Sequence, residues 1–215
     1  MIIVGLTGGI GMGKTTAANM LRDLGYPVHD SDAAVHKMLV RGGKAVAAVA
    51  AAFPESYDSK NKCIDRRKLG AVIFKDPVKR KRLEAIIHPL VQESQNNFLR
   101  HHAGRRAKLV VLDIPLLFET GAEARVDYVI CVSAPEHIQR QRVLARPGMT
   151  EAEFERRKAS QMPDAEKQKR ADFVVQTGQG LAPTYRDLKR IAAQLTGQLG
   201  SHRKHARSRF PTHDR

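Results

Sequence analysis

Five short, mostly apolar runs punctuate the chain, at residues 2–5, 27–30, 108–113, 128–132 and 173–176. Each is too short for a globular helix and lacks the polar alternation of a strand with one wet face. Each therefore predicts a strand buried on both sides. Helical patterns lie between them, so the alternation predicts an α/β fold: a five-stranded parallel sheet with helices on both faces, three layers in all. Two intervals exceed a simple crossover. Between Asp32 and Ala107 several helical patterns occur in succession, which predicts a helical lobe inserted at about 33–105. Within it Leu83, Ile86, Ile87, Leu90 and Val91 recur at helical spacing behind an Asp76-Pro77 start signal, and Pro89 is predicted to kink or interrupt that helix. From Glu136 to Arg170 the chain is helical in pattern but highly charged, and Thr150-Glu151-Ala152-Glu153 reads as a capping box.

Length and composition narrow the class. The 215 residues, 42% hydrophobic and 27% charged, suit one globular domain carrying inserted lobes. No apolar run approaches the ~18 residues of a membrane span. The N-terminus lacks the basic and cleavage regions of a signal peptide, and the two cysteines show no metal-like spacing. A reduced, cytoplasmic chain is expected, with Cys63 at the surface and Cys131 buried in a strand. The formal charge of +15 is the unusual feature. Five Lys/Arg against one Asp lie in the last fifteen residues, and nine against two lie between Lys62 and Arg82. The segment 198–215 is polar and aperiodic and is expected to be disordered. Such charge suits an anionic partner, either nucleic acid or a polyphosphate metabolite, and does not choose between them.

The stretch Gly5-Leu6-Thr7-Gly8-Gly9-Ile10-Gly11-Met12-Gly13-Lys14-Thr15-Thr16 supplies the first chemistry. Residues 8–15 match G-x-x-x-x-G-K-[ST] between a predicted strand and a predicted helix, the context that this phosphate-binding motif requires. Glycines let backbone N–H groups close on phosphate oxygens, and the helix adds its N-terminal dipole. Lys14 brings a point charge to the β- and γ-phosphates, with no other contact expected of it, and Thr15 can hold Mg²⁺. At the end of the second strand Asp30 and Asp32 offer carboxylates to accept a proton, to hold the metal, or to cap a helix. If the strand stays extended there, the two point the same way. Leu109-Val110-Val111-Leu112-Asp113 is the pattern of a buried strand delivering a carboxylate towards Mg²⁺. The continuation 114–119 is oddly apolar for a loop, so it is expected to pack on a ligand or on the inserted helices. Arg140, Arg142 and Arg146 cannot all share one helix face; they read either as arginines on a mobile segment that can close over a triphosphate or as an ordinary solvated helix face.

Together these segments resemble the dephospho-CoA kinase family, a P-loop NTPase fold of the nucleotide-kinase class. The resemblance rests on residues 5–16, on Asp30-Ser31-Asp32-Ala33-Ala34-Val35-His36, and on 65–70. It continues through Leu83-Glu84-Ala85-Ile86-Ile87-His88-Pro89-Leu90-Val91, Leu112-Asp113-Ile114-Pro115-Leu116-Leu117-Phe118-Glu119, 146–162 and 169–175. It implies a kinase domain at 1–197, with the lobe at 33–105 holding the acceptor and a helical lid at about 138–165. The implied reaction is transfer of the γ-phosphoryl of ATP to the ribose 3′-hydroxyl of dephospho-CoA, the last step of coenzyme A biosynthesis. Gly11, Met12, Gly13, Lys14, Thr15 and Thr16 would bind ATP, and Thr15 and Asp113 would hold Mg²⁺. Asp32 would be the general base, acting with Lys14, Arg142 and Arg146. Thr7, Asp32, His88 and Leu116 would meet the acceptor. A monomer is expected, without nucleic acid or membrane as partner. Met12 stands where the family usually has a small serine, and Gln176 where asparagine is common. The rival readings are a nucleoside or nucleotide kinase with the same loop, and a nucleic-acid-associated P-loop protein, for which no reading motif is present.

Overall fold

A computed structural model of the chain describes residues 1–74 and 76–197; the segment 198–215 lies outside the described residues. The elements in chain order are β1 (Ile2–Thr7), α1 (Lys14–Asp23), β2 (Val28–Asp30), α2 (Ser31–Leu39), α3 (Val46–Ala52), β3 (Tyr57–Asp58), β4 (Cys63–Ile64), α4 (Arg66–Phe74) and α5 (Pro77–Gly104). They continue with β5 (Leu109–Asp113), β6 (Tyr128–Ser133), α6 (Glu136–Leu144), α7 (Glu151–Ala159), α8 (Asp164–Arg170), β7 (Phe173–Gln176) and α9 (Leu181–Leu195). The chain divides into two compact units, one formed by Met1–Val28 with the residues from His102 on, the other by His29–His101.

The five-stranded sheet has the order β2-β5-β1-β6-β7, and its strands β5, β1, β6 and β7 form the base of the first unit. β1 runs parallel to β5 on one side and to β6 on the other, and β7 continues parallel from β6. Val4, Leu6, Val111, Ile130, Val132 and Val175 of the sheet share one core with Ala17 and Leu21 of α1 and Leu188 and Ile191 of α9. Each large apolar side chain among them contributes about 1.5–3 kcal/mol of burial. The α/β reading and its five strands are thus borne out, with shifted ends. β1 runs two residues beyond Gly5 because pairing continues from Leu6 to Asp113 on one side and from Thr7 to Cys131 on the other. Asp127 accepts from the Ile3 N–H at 2.8 Å and Asp172 from the Val129 N–H at 2.9 Å. Each carboxylate takes up a donor of the neighbouring strand just before its own strand begins.

The second unit has its own core of Met38, Leu39, Val49, Phe53, Ile64, Leu69 and Ile87. Leu83, Ile86, Leu90 and Val91 pack against it, so the periodic face of α5 is the buried one. Asp76 starts that helix by accepting from the Val78 and Lys79 N–H groups at 2.9 and 3.1 Å. Pro89 does not interrupt it. The helix spans 28 residues with Pro89 inside. Losing one helical donor costs less here than breaking the apolar stripe that continues to Leu90 and Val91. A two-stranded hairpin of β3 and β4 is too short to leave a hydrophobic period in the sequence, and none of the expected elements included it. No helix among the described residues is long and apolar enough to cross a membrane.

Candidate functional site

The loop between β1 and α1 is shaped by what touches it. Gly11 and Gly13 have φ of 76° and 85°, the left-handed region that side chains avoid. A Cβ on Gly11 would lie 2.5 Å from Val143 and 3.0 Å from the Gln139 carbonyl, so the loop presses against α6. Gly13 is the N-cap of α1, and no side chain caps that helix. Its first-turn N–H groups and the positive end of its dipole meet no side-chain cap, an arrangement suited to phosphate. Thr15 and Thr16 are exposed at this end, whereas Met12 is buried.

Lys14 comes directly after the glycines and ion-pairs with Asp113 at 2.6 Å, the side chains being 16% and 4% exposed. No local pattern announces this contact, and it corrects the reading of Lys14 as a residue that touches only phosphates. Asp113 ends β5, directly across from Leu6 on β1. Among the described residues no three His, Cys, Asp or Glu side chains gather to cage a metal ion. Thr7, expected to meet the acceptor, is fully buried, and its hydroxyl donates to the Pro115 carbonyl at 3.1 Å, tying β1 to the loop after β5. Of that apolar loop, Leu117 and Phe118 are buried, while Leu116 stays exposed, at 40%. Glu119 ends the run, paired at 2.7 Å with the fully buried Lys167 of α8 and accepting from the Met162 N–H at 2.8 Å. Burial works against ionisation of Glu119, but these bonds outweigh it and hold its carboxyl below the ordinary range.

The charged region from α6 to α8 meets the loop at several points. Arg142 donates to the Thr177 hydroxyl at 2.9 Å and to its carbonyl at 2.8 Å. The Thr177 hydroxyl in turn donates to the Met12 carbonyl at 2.8 Å. Arg142 is thus fixed beside the loop rather than swinging free. Arg140 forks onto Glu151, and Arg146 is exposed beyond the end of α6. Thr150 caps α7 by accepting from the Glu153 N–H, while Glu153 turns its own carboxylate to Arg156 and Arg157. Gln139 and Gln161 bond the carbonyl and the N–H of Ile10, at 2.8 and 2.9 Å. Sequence reasoning missed Thr177, Lys167 and both glutamines. A lone polar or charged residue, whether in the charged helical region or, like Thr177, just past β7, carries no signal of its own.

In the second unit β2 ends at Asp30, and its carboxylate caps α2 by accepting from the Ala33 N–H at 2.9 Å. Asp32 is the second residue of that helix and is exposed. The extended strand end that would have aligned the two carboxylates does not exist; the helix starts between them. Asp30 is the cap, and Asp32 is left available. His88 is exposed on α5. His29 is buried, with Nε2 2.9 Å from the Ser94 hydroxyl, its ring edge-on to Phe98, and no partner for Nδ1 among the described residues. Burial lowers its pKa, and the charge of Asp30 opposes that shift without cancelling it.

The model of the dephospho-CoA kinase family matches residues 2–182. A dephospho-CoA kinase of Mesorhizobium japonicum is 51% identical, the match covering 94% of this chain and 100% of the relative. One of Paramagnetospirillum magneticum is 55% identical, with 92% of each chain covered. Among solved structures, TT1252 from Thermus thermophilus is 40% identical with a TM-score of 0.78, covering 91% of this chain and 98% of its own. A shikimate kinase from Acinetobacter baumannii, 17% identical with a TM-score of 0.51 over 94% of this chain and 96% of its own, shares the fold alone.

Proposed function

The chain belongs to the dephospho-CoA kinase family, and from that premise we propose how its residues divide the work of a phosphoryl transfer. The activity is that of a kinase at the last step of coenzyme A biosynthesis, with ATP as donor. The backbone of Gly11, Met12 and Gly13 and the uncapped start of α1 at Lys14, Thr15 and Thr16 cradle the ATP phosphates. Lys14, held by Asp113 in the free protein, turns to the β- and γ-phosphates when they arrive.

Mg²⁺ takes few protein ligands and keeps phosphate oxygens and waters for the rest, so the lack of a carboxylate cage among the described residues suits it. The exposed Thr15 hydroxyl and the Asp113 carboxylate are the groups that would hold it. When bound, it neutralises charge on the β- and γ-phosphates. The ribose 3′-hydroxyl of dephospho-CoA gives its proton to Asp32 as its oxygen bonds to the γ-phosphorus, and the bond to the β,γ-bridging oxygen breaks. Arg142 and Arg146 offset negative charge on the donor, while His88 and Leu116 contact the acceptor. The lobe at about 33–105 is the acceptor part of one kinase domain, and 138–165 is its lid.

The observation that carries this reading is Lys14, delivered by a loop of left-handed glycines to the carboxylate at the end of β5. We place the enzyme in the cytoplasm as a monomer, with both cysteines free. A coupled assay with ATP and Mg²⁺ tests the assignment by comparing dephospho-CoA with nucleosides and nucleoside monophosphates. Turnover confined to dephospho-CoA is expected. Equal or faster turnover of a nucleoside would make the chain a nucleoside kinase.

A further inference from the structure

We propose that Gln139 and Gln161 are positioning residues for the donor nucleotide, holding Ile10 by its carbonyl and its N–H and thereby setting the loop that receives the phosphates. Gln139 lies on α6 and is 4% exposed; its amide nitrogen donates to the Ile10 carbonyl at 2.8 Å. Gln161 lies just beyond α7, and its amide oxygen accepts from the Ile10 N–H at 2.9 Å. A residue in a tight turn cannot satisfy its own donor and acceptor, so something outside must. Here one side chain supplies the donor and another the acceptor. They come from the two ends of the segment read as a lid.

The consequence reaches the phosphates through covalent geometry. The Ile10 N–H belongs to the Gly9–Ile10 peptide and the Ile10 carbonyl to the Ile10–Gly11 peptide, so Gln161 and Gln139 fix the planes on either side of Ile10. Together they set the entry to Gly11, whose φ of 76° starts the run of glycine and helix-start N–H groups. Let either plane rotate, and the donors beyond it lose their common aim. Gly11 is pressed against the Gln139 carbonyl, with room for no Cβ, so α6 also limits where the plane can sit. Neither glutamine is part of the loop motif. Both act through Ile10, and any movement of the 138–165 segment is felt at the nucleotide.

This inference rests on the loop being the ATP site, so Lys14→Ala is assayed beside Gln161→Met, Gln139→Met and the double variant. Methionine keeps the length of glutamine without its amide. Each single variant is expected to raise KM for ATP roughly tenfold, the worth of one buried hydrogen bond. KM for dephospho-CoA should stay within about twofold, a split that a general loss of packing would not produce. The double variant should be little worse than the worse single one, because a loop released on one side has no position left to lose. If burial of Gln139 prevents its variant from folding, Gln161→Met alone decides. A KM for ATP within about twofold of wild type, or both KM values rising together, overturns the clamp when Lys14→Ala still abolishes turnover. Near-wild-type turnover in Lys14→Ala would instead remove the ATP-loop reading, and the clamp with it.

Discussion

Replacing Lys14 with methionine separates two roles of one side chain. The ammonium is 2.6 Å from Asp113, whose side chain is only 4% exposed. Taking one partner from a fully buried pair costs roughly 3–5 kcal/mol. Here the lysine reaches partly into the open, and Asp113 keeps other polar interactions. The cost is therefore about 1–3 kcal/mol. For a chain of this length each kcal/mol lowers Tm by about 2–4 °C, so a fall of a few degrees to about ten is expected by calorimetry. Turnover should fall much further, by roughly 10²–10³ in kcat, as when a preorganised charge aimed at a transition state is removed. Combining Lys14→Met with Asp113→Asn removes the buried carboxylate that has lost its cation, so Tm should recover most of the loss while kcat does not. An unchanged Tm in Lys14→Met would mean that the pair does not contribute to the free protein. Recovery of kcat in the double variant would mean that Lys14 serves only to neutralise Asp113, and the phosphate role assigned to it would fall.

Asp32→Asn is expected to collapse kcat while ATP affinity changes less than about tenfold; severe loss of Mg-ATP binding with kcat intact at saturation would make Asp32 a metal-site residue. Asp30→Ala should instead cost about 0.5–2 kcal/mol of stability, because its carboxylate caps α2, and Asp30→Asn should cost little, an amide oxygen still being an acceptor. His29 titrates below its ordinary 6.5 because it is buried, so the unfolded chain binds a proton that the folded one refuses. Its contribution is intact above that value and is lost as pH falls through the folded pKa; wild-type Tm should drop more between about pH 7 and about pH 5 than that of His29→Gln, and parallel curves would refute this. Cys131 is fully buried and its thiol is pushed up to about 12, so a thiol reagent should titrate Cys63 alone in the native protein and both cysteines in denaturant; rapid native modification of both would show that β6 opens.

The range of the forces involved decides which features were legible in the sequence. The inner strands β1, β5 and β6 were readable because burial on both faces is written in consecutive residues, as in Leu109-Val110-Val111-Leu112, whereas the edge strand β7 was readable as a short apolar run although Val174 is exposed. The loop was readable because its glycines, lysine and threonine are contiguous. Pairings across the chain were not. The Lys14–Asp113 contact spans 99 residues, Gln161 to Ile10 spans 151, and Thr177 to Met12 spans 165. No local period encodes any of them. Pro89 does not interrupt the helix for a related reason: its local cost is visible in sequence, and the apolar face that keeps the helix continuous is visible only once Ile87 is seen in the core. For Asp30 and Asp32 the sequence left open whether either caps a helix, because one residue of helix start decides which carboxylate is engaged.

Met12, the loop residue for which the resemblance implied a small serine, is held by packing against the body of the protein. Its side chain turns inward; it is 3% exposed and belongs to the core shared by β1, α1 and β6. Its sulfur accepts from the Ala134 N–H at 3.1 Å, and its carbonyl accepts from the Thr177 hydroxyl. A long, unbranched thioether suits such a gap, since it adjusts to the space available at little cost. In the proposed reading the chemistry of the loop belongs to its backbone and to Lys14, whereas the Ile10 backbone and the Met12 side chain connect it to the body behind. Substitution at Met12 is therefore judged by packing and by hydrogen bonds to the scaffold. At Gly11 and Gly13 it is judged by backbone conformation, where φ of 76° and 85° strains any side chain.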